Sequence, residues 1–358
     1  MKKYIFIFAA AALSLAACSK NEVTPAFVDG NAEITFNVAP KTKALAAGQE
    51  DFNHANVFTS YAYYLAPGKN WADDFASAKL YIDNSVISYV TDKWKNATAT
   101  YYWPKDGGSL TFFAYSLNKG DMTFDGGDSV MGCKVEAEAD GSLSGGINGA
   151  IDVLPNKNVD FLVADIQADK TANENVYTHT GVPTLFRHKL SMVNVTAKLK
   201  EDYADKKFTV NDVKFTQISH FGAYCQFPEK MTESGTKVDQ IYAENAGLVV
   251  TTTKATVPYV INDADGAKTD DGQYIYIPQT FEDSDDVVIE IKYTIETTVG
   301  TSPVKEECVS KTKISDVFPK WEIGKKYVLD LTFSLDEILW DPAVQEWETG
   351  TTGNITIE

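Results

Sequence analysis

Apolar side chains recur at every second position through much of this chain, and no other feature constrains its fold as tightly. Ile34, Phe36 and Val38 alternate with Glu33, Thr35 and Asn37. Successive side chains of an extended backbone point to opposite faces, so the apolar set lies on one face of a half-buried strand. The same period runs through residues 110–115, 192–199, 274–277, 287–295 and 327–333. Polar clusters such as Asp106-Gly107-Gly108, Asp125-Gly126-Gly127-Asp128 and Asp270-Asp271-Gly272 separate these runs and read as turns. Short alternating strands joined by polar turns predict an all-β fold of sandwich type. Helical signal is confined to Asn70-Trp71-Ala72-Asp73-Asp74-Phe75-Ala76, where Asn70 suits an N-cap and the acidic pair suits the first turn of a short helix. Alternating βα units are absent, which disfavours a parallel α/β sheet.

With 358 residues and 44% hydrophobic content, the chain has room for two globular domains at about 150 residues each. The polar stretch 165–184 is the expected boundary, lying between the apolar run Phe161-Leu162-Val163-Ala164 and the strand that follows Phe186. Residues 1–18 are of another kind. Lys2 and Lys3 precede an apolar run over residues 4–15, and Leu15-Ala16-Ala17-Cys18 places small residues directly before a cysteine. Ser19, Lys20, Asn21 and Glu22 end the run short of the about 20 apolar residues that a spanning helix needs. The order is that of a lipoprotein signal peptide, with Cys18 as the lipid anchor. Two or three acyl chains on that thiol would hold the protein on a membrane where one chain would not.

Composition excludes several functions. A formal charge of −18 repels nucleic acid and anionic lipid headgroups. Arg187 is the only arginine, so no clamp of several arginines can grip phosphate or carboxylate groups. Cys133, Cys225 and Cys308 are widely spaced and form no C-x-x-C pair, which argues against a zinc ribbon or a redox couple. One disulfide with a thiol left over and three free, buried thiols are the two alternatives, the second being the plainer. His54, His179, His188 and His220 fall into no H-E-x-x-H pattern, and no G-x-S-x-G elbow occurs. The acidic run Glu282-Asp283-Ser284-Asp285-Asp286 reads as a solvated loop. Asn262-Asp263-Ala264-Asp265-Gly266 resembles part of a calcium loop, but Ile261 stands where the first ligand belongs and no glutamate closes the loop. The reading is therefore no catalysis, no metal and no cofactor. Tyr101, Tyr102 and Trp103, with Trp71 and Trp94, suit either sandwich core or a sugar-stacking platform, and core is the more usual fate of aromatics at strand ends.

The segment Tyr101-Tyr102-Trp103-Pro104-Lys105-Asp106-Gly107-Gly108-Ser109, continuing through residues 110–115, closely resembles a signature of the fimbrillin-like proteins of the Bacteroidetes, the subunits of type V pili and their relatives. Read locally it is a hairpin: the aromatics end one strand, Pro104 and Asp106-Gly107-Gly108 make the turn, and residues 110–115 return beside it. Phe186-Arg187-His188-Lys189-Leu190-Ser191, Tyr276-Ile277-Pro278-Gln279, Trp321-Glu322-Ile323-Gly324-Lys325-Lys326-Tyr327 and residues 340–347 resemble further family patterns in the expected order. The likeness spans essentially the whole chain.

The resemblance implies two antiparallel Greek-key β-sandwich domains of transthyretin-like type in tandem, without catalysis. It divides the chain into a signal peptide (1–18), a propeptide-like segment with the first strand (19–43), an N-terminal sandwich (44–184) and a C-terminal sandwich with a donor strand (185–358). It further implies a fimbrial lipoprotein of the outer membrane and cell surface. Its partners would be other fimbrial subunits, the membrane through its lipid, and a ligand on a host or bacterial surface. In the family's pilus subunits a protease removes the first strand and a strand from the next subunit fills the groove, with main-chain hydrogen bonds giving affinity and alternate side chains filling pockets. Carried over, Ile34, Phe36 and Val38 belong to the strand that leaves. Lys41 and Lys43 are the candidate cleavage points, since the arginine common there in the family is missing, and Ile355 and Ile357 belong to a strand that either pairs in its own domain or reaches a neighbour. The rival function is an outer-membrane lipidated glycan-binding protein of a polysaccharide-uptake system, with the tryptophans as sugar platforms. Coplanar exposed aromatics on one face would favour the rival; an N-terminal strand clamped in a long hydrophobic groove would favour the pilus.

Overall fold

The computed structural model describes residues 32–40, 54–117, 130–153, 160–172, 181–233, 235, 237–241, 247–257, 273–281 and 286–347. Cys18, Lys41, Lys43, Ile355, Ile357 and the turn at 262–266 lie outside the described residues. Within them the chain is all-β. The first ten strands are β1 Phe36–Pro40, β2 Phe58–Leu65, β3 Lys79–Val90, β4 Lys93–Asn96, β5 Ser109–Ser116, β6 Val130–Ala137, β7 Leu143–Asp152, β8 Leu162–Ala164, β9 Gln167–Lys170 and β10 Val182–His188. Next come β11 Ser191–Leu199, β12 Lys206–Ser219, β13 Phe221–Phe227, β14 Lys230–Glu233, β15 Lys237–Ile241, β16 Leu248–Val250 and β17 Ala255–Val257. The last are β18 Gln273–Tyr276, β19 Gln279–Thr280, β20 Val288–Val299, β21 Ser302–Lys313, β22 Lys320–Trp321, β23 Lys325–Phe333 and β24 Ile338–Glu346. Helix is limited to single turns. In α1, Trp71–Asp74, the Asn70 side chain caps by accepting from the Asp73 amide at 3.0 Å, as the sequence predicts; α2 is Ile314–Val317.

Strands from the first half form a sheet that closes on itself. Its order is β2-β3-β4-β1-β10-β8-β5, and β5 pairs back to β2. Phe36, Phe58, Trp94, Trp103, Phe112, Val182 and Phe186 fill its interior. The β5 strand is buried along its whole length: Leu110, Phe112 and Ala114 face the closed interior, while Phe113 and Tyr115 point outward into a second core. That second core is roofed by a sheet of order β14-β13-β7-β6, which contributes Ile147, Ile151 and Tyr224. The roof draws two strands from before residue 184 and two from after it, and β10 itself runs across that position. A third core lies between the sheets β17-β11-β23-β24 and β15-β12-β20-β21, with Val193, Val195, Leu329 and Leu331 meeting Phe208, Val213, Phe215 and Ile291.

Two details depart from the local reading. Most pairings are antiparallel, but β1 with β10 and β11 with β23 are parallel. A parallel pair cannot be joined by a tight turn, so it brings together segments remote in sequence and leaves no hairpin signature. The expected hairpin of residues 101–115 does not form. One edge of β5 is taken by β2 and the other by β8 and β9, so no edge remains for Tyr101 to Trp103. Those residues pair instead with the N-terminal segment, through an isolated bridge between Tyr102 and Glu33. Cys133, Cys225 and Cys308 are free, half-buried thiols.

Candidate functional site

Residues 32–40 are held on both edges. On one side the Ile34 amide donates to the Tyr101 carbonyl at 2.8 Å, and the Trp103 amide donates to the Ala32 carbonyl at 3.1 Å. Phe36 lies opposite Trp94 of β4 on that same side. On the other side the Val182 amide donates to the Thr35 carbonyl at 2.7 Å, and β1 continues in parallel register from Phe36 beside Val182 to Pro40 beside Phe186. Gly181 makes this approach possible. It sits at φ +86°, and a Cβ there would fall 2.5–2.8 Å from the Phe36 backbone, so an L side chain is barred by conformation and by space. Lys95 adds an ion pair to Glu33 at 3.1 Å.

The alternation read from the sequence sets which side chains enter the groove. Ile34, Phe36 and Val38 are 3%, 5% and 8% exposed; of the polar residues between them Asn37 faces solvent, while Thr35 is buried as well. Burial of each such side chain is worth about 1.5–3 kcal/mol. Phe36 occupies an aromatic cage, its ring edge-on to Phe58 at 5.4 Å and to Phe112 at 5.8 Å. Phe58 in turn contacts Trp94 at 5.8 Å and Phe186 at 5.4 Å, and Trp103 meets Phe112 at 5.8 Å. Removal of this segment would part β4 from β10 and leave a trough with an apolar floor and two rows of unpaired backbone groups, a template for another extended chain. Gly181 and the wall formed by Tyr101 to Trp103 were not legible as parts of this site. The only local signal is a glycine directly before the alternating strand that begins at Val182.

The aromatic platform does not form from the residues considered for it. Trp71, Trp94 and Trp103 are buried, and they sit in two different cores, Trp71 in the roofed one and the other two inside the closed sheet. Of the group, Tyr102 alone is strongly exposed. No group of three or more His, Cys, Asp or Glu side chains is placed to hold a metal ion among the described residues. Burial pushes the Cys133 thiol up to about 12, which keeps it protonated and a poor nucleophile at neutral pH. Arg187 grips Asp165 through a two-pronged contact of 2.5 and 2.6 Å, and its guanidinium is held above its ordinary pKa first by that hydrogen bond. The described chain ends on Trp347, buried and stacked on His188 at 3.9 Å with the planes 10° apart. Asp160 lies 2.5 Å from the Nδ1 of that histidine.

Residues 42–358 match a protein-family model described as fimbrillin-like. None of the curated proteins compared with the chain matches it. Among solved structures, a fimbrial protein from Bacteroides vulgatus is similar, with a TM-score of 0.57 at 17% identity, over 88% of this chain and 99% of that one. A candidate cell adhesion protein from Bacteroides uniformis gives a TM-score of 0.47 at 15% identity, over 89% of this chain and 100% of its own. Another from Bacteroides ovatus gives 0.41 at 14% identity, over 88% and 96%.

Proposed function

This chain belongs to the fimbrillin-like family, and we propose that it is a cell-surface pilus component, structural or adhesive and without catalysis, which assembles by exchange of its first strand. One observation carries the reading: residues 32–40 complete a closed sheet from between two other strands, burying Ile34, Phe36 and Val38. A cut after Lys41 or Lys43 would leave that segment attached by non-covalent contacts alone, free to be replaced by a strand from a neighbouring subunit. In this scheme residues 354–357, with Ile355 and Ile357 on one face, are offered to a neighbour in turn. The two transthyretin-like Greek-key units of this scheme, 44–184 and 185–358, meet within β10, and β13 and β14 of the second help to roof the core of the first. Lipid on Cys18 holds the precursor at the outer membrane until the cut releases it. The glycan-binding alternative loses the tryptophan platform on which it rested.

The test is N-terminal sequencing of the protein recovered from the cell surface, with polymer and monomer fractions analysed apart. Polymer that begins at Thr42 or Ala44, with lipidated Cys18 confined to the monomer, is the expected result. Polymer that retains residues 18–40 would refute strand exchange in this chain.

A further inference from the structure

In the C-terminal sandwich β21 is an edge strand of 12 residues. It pairs with β20 on one side, and no other strand among the described residues pairs with it. Such an edge presents a row of free backbone groups. We infer that it docks a second copy of this chain, the two β21 strands running antiparallel about a two-fold axis at Val309. The inference is independent of first-strand exchange, which concerns another sheet.

The hairpin that leads into β21 determines which backbone groups are free. Gly300-Thr301 joins the two strands, with Gly300 at φ +65°, and the register is unbroken from Val299 beside Ser302 to Val288 beside Lys313. In a two-residue hairpin the pair that closes the loop exchanges hydrogen bonds, and such pairs recur at every second residue. Ser302 and the even-numbered residues after it therefore direct their N–H and C=O groups at β20. Lys305, Glu307, Val309, Lys311 and Lys313 turn theirs outward. Pro303, which has no N–H, falls in this outward set, as a proline of an edge strand must if the ladder is to stay whole. By contrast β24, the other long free edge of this sandwich, carries Pro342 near its middle, where it would interrupt pairing with a further strand.

Charge selects the register. Directly opposite residues share a face of a sheet, so in a two-fold pair odd-numbered residues meet odd-numbered ones, and each contact occurs twice. Like charges directly opposite are destabilising and opposite charges stabilising. An axis at Glu306 or Glu307 sets two glutamates against each other, and one at Cys308 sets Lys305 against Lys311. An axis at Ser310 sets Val309 against Lys311 and shortens the overlap. An axis at Val309 sets Glu307 opposite Lys311 twice, on either side of two facing valines. Val309 is 57% exposed, and Glu307 and Lys311 face solvent. Lys311 bonds Glu290 of its own chain at 2.6 Å, and an ammonium group has three hydrogens to share. Lys305, which then meets Lys313, is neutralised by Glu296 at 3.3 Å.

One strand edge is a small interface, so a weak, concentration-dependent dimer is expected. The experiment is analytical ultracentrifugation of the full chain over a range of concentrations, with Cys18→Ser in every form so that lipid does not itself bring copies together. Glu307→Lys and Lys311→Glu, each alone, set like charges opposite at both positions and should weaken the dimer at least about tenfold. Mixed in equal amounts, the two variants recreate both opposite-charge pairs in a heterodimer, so the mixture should sediment as a dimer again. A folding defect in either variant would not give that rescue. A parent chain that stays monomeric throughout overturns the inference. So does a dimer that neither variant weakens, or a mixture that pairs no better than its components.

Discussion

Phe36→Ala is the substitution that most directly interrogates the closed sheet. The wild-type ring is 5% exposed and sits edge-on to two others. Truncating a buried phenylalanine to alanine costs about 3–5 kcal/mol, because the transfer free energy is lost and the cavity collapses only in part. The cage around Phe36 is itself made of bulky rings, Phe58, Phe112 and Trp94, that cannot all move inward, so the upper part of that range is expected. At 1.4 kcal/mol per factor of ten, the population with the N-terminal strand detached should rise by about three orders of magnitude or slightly more. The assay is hydrogen exchange by mass spectrometry on native protein, with urea unfolding in parallel. Protection should fall for residues 32–40 and for the amides that face them, Trp103 and Val182. Amides around Val195 and Leu329, in the separate third core, should keep their protection, because sub-global openings follow contiguous structural units. A uniform loss across the chain would refute the idea of a separable strand. A destabilisation below about 1 kcal/mol would refute the packing argument, since ordinary surface changes already reach about 0.5 kcal/mol.

Three further outcomes follow from single contacts. Gly181→Ala should destabilise by more than the about 1 kcal/mol typical of a glycine replacement, with exchange at residues 32–40 accelerated first, because the new Cβ meets the Phe36 backbone at φ +86°; an unchanged melting temperature would contradict this. The Glu290 carboxylate is held below its ordinary pKa by its hydrogen bond to Lys311, then by the charges of Lys311, Lys292 and Lys214. Its contribution is therefore complete above the usual glutamate range and lost as the pH falls through the lowered value, so Glu290→Gln should flatten the acid side of the stability profile below about pH 5, as read by urea midpoints at successive pH values. Cys133, whose thiol burial pushes up to about 12, should react with a thiol reagent at pH 8 more slowly than Cys308, whose thiol burial raises less; the reverse order in peptide mapping would contradict the assigned burial.

The local rules worked where the answer depends on one segment. The alternation at residues 192–199, 287–295 and 327–333 became β11, β20 and β23, and Asn70 capped the one-turn helix expected of it. They failed at residues 101–115, where a turn between two apolar runs looked like a hairpin. Nothing local reveals that β5 is sandwiched between two cores and paired on both edges, and that crowding is what sent the aromatic run to the N-terminal segment. The tryptophans are similar: a ring can serve a core or a sugar equally well, and burial of Trp71, Trp94 and Trp103 is a property of neighbours contributed by distant strands.

By itself, then, the sequence determined which stretches are extended, which face of each is apolar, and which family the chain resembles, because these follow from side-chain period and motif order along the chain. Only the tertiary structure decided that the first strand lies between β4 and β10, that a sheet closes around Phe36, and that Gly181 must stay bare. Strand edges carry identical backbone donors and acceptors whatever the side chains are, so the choice of neighbour is made by the packing of faces and appears only when the whole core is assembled.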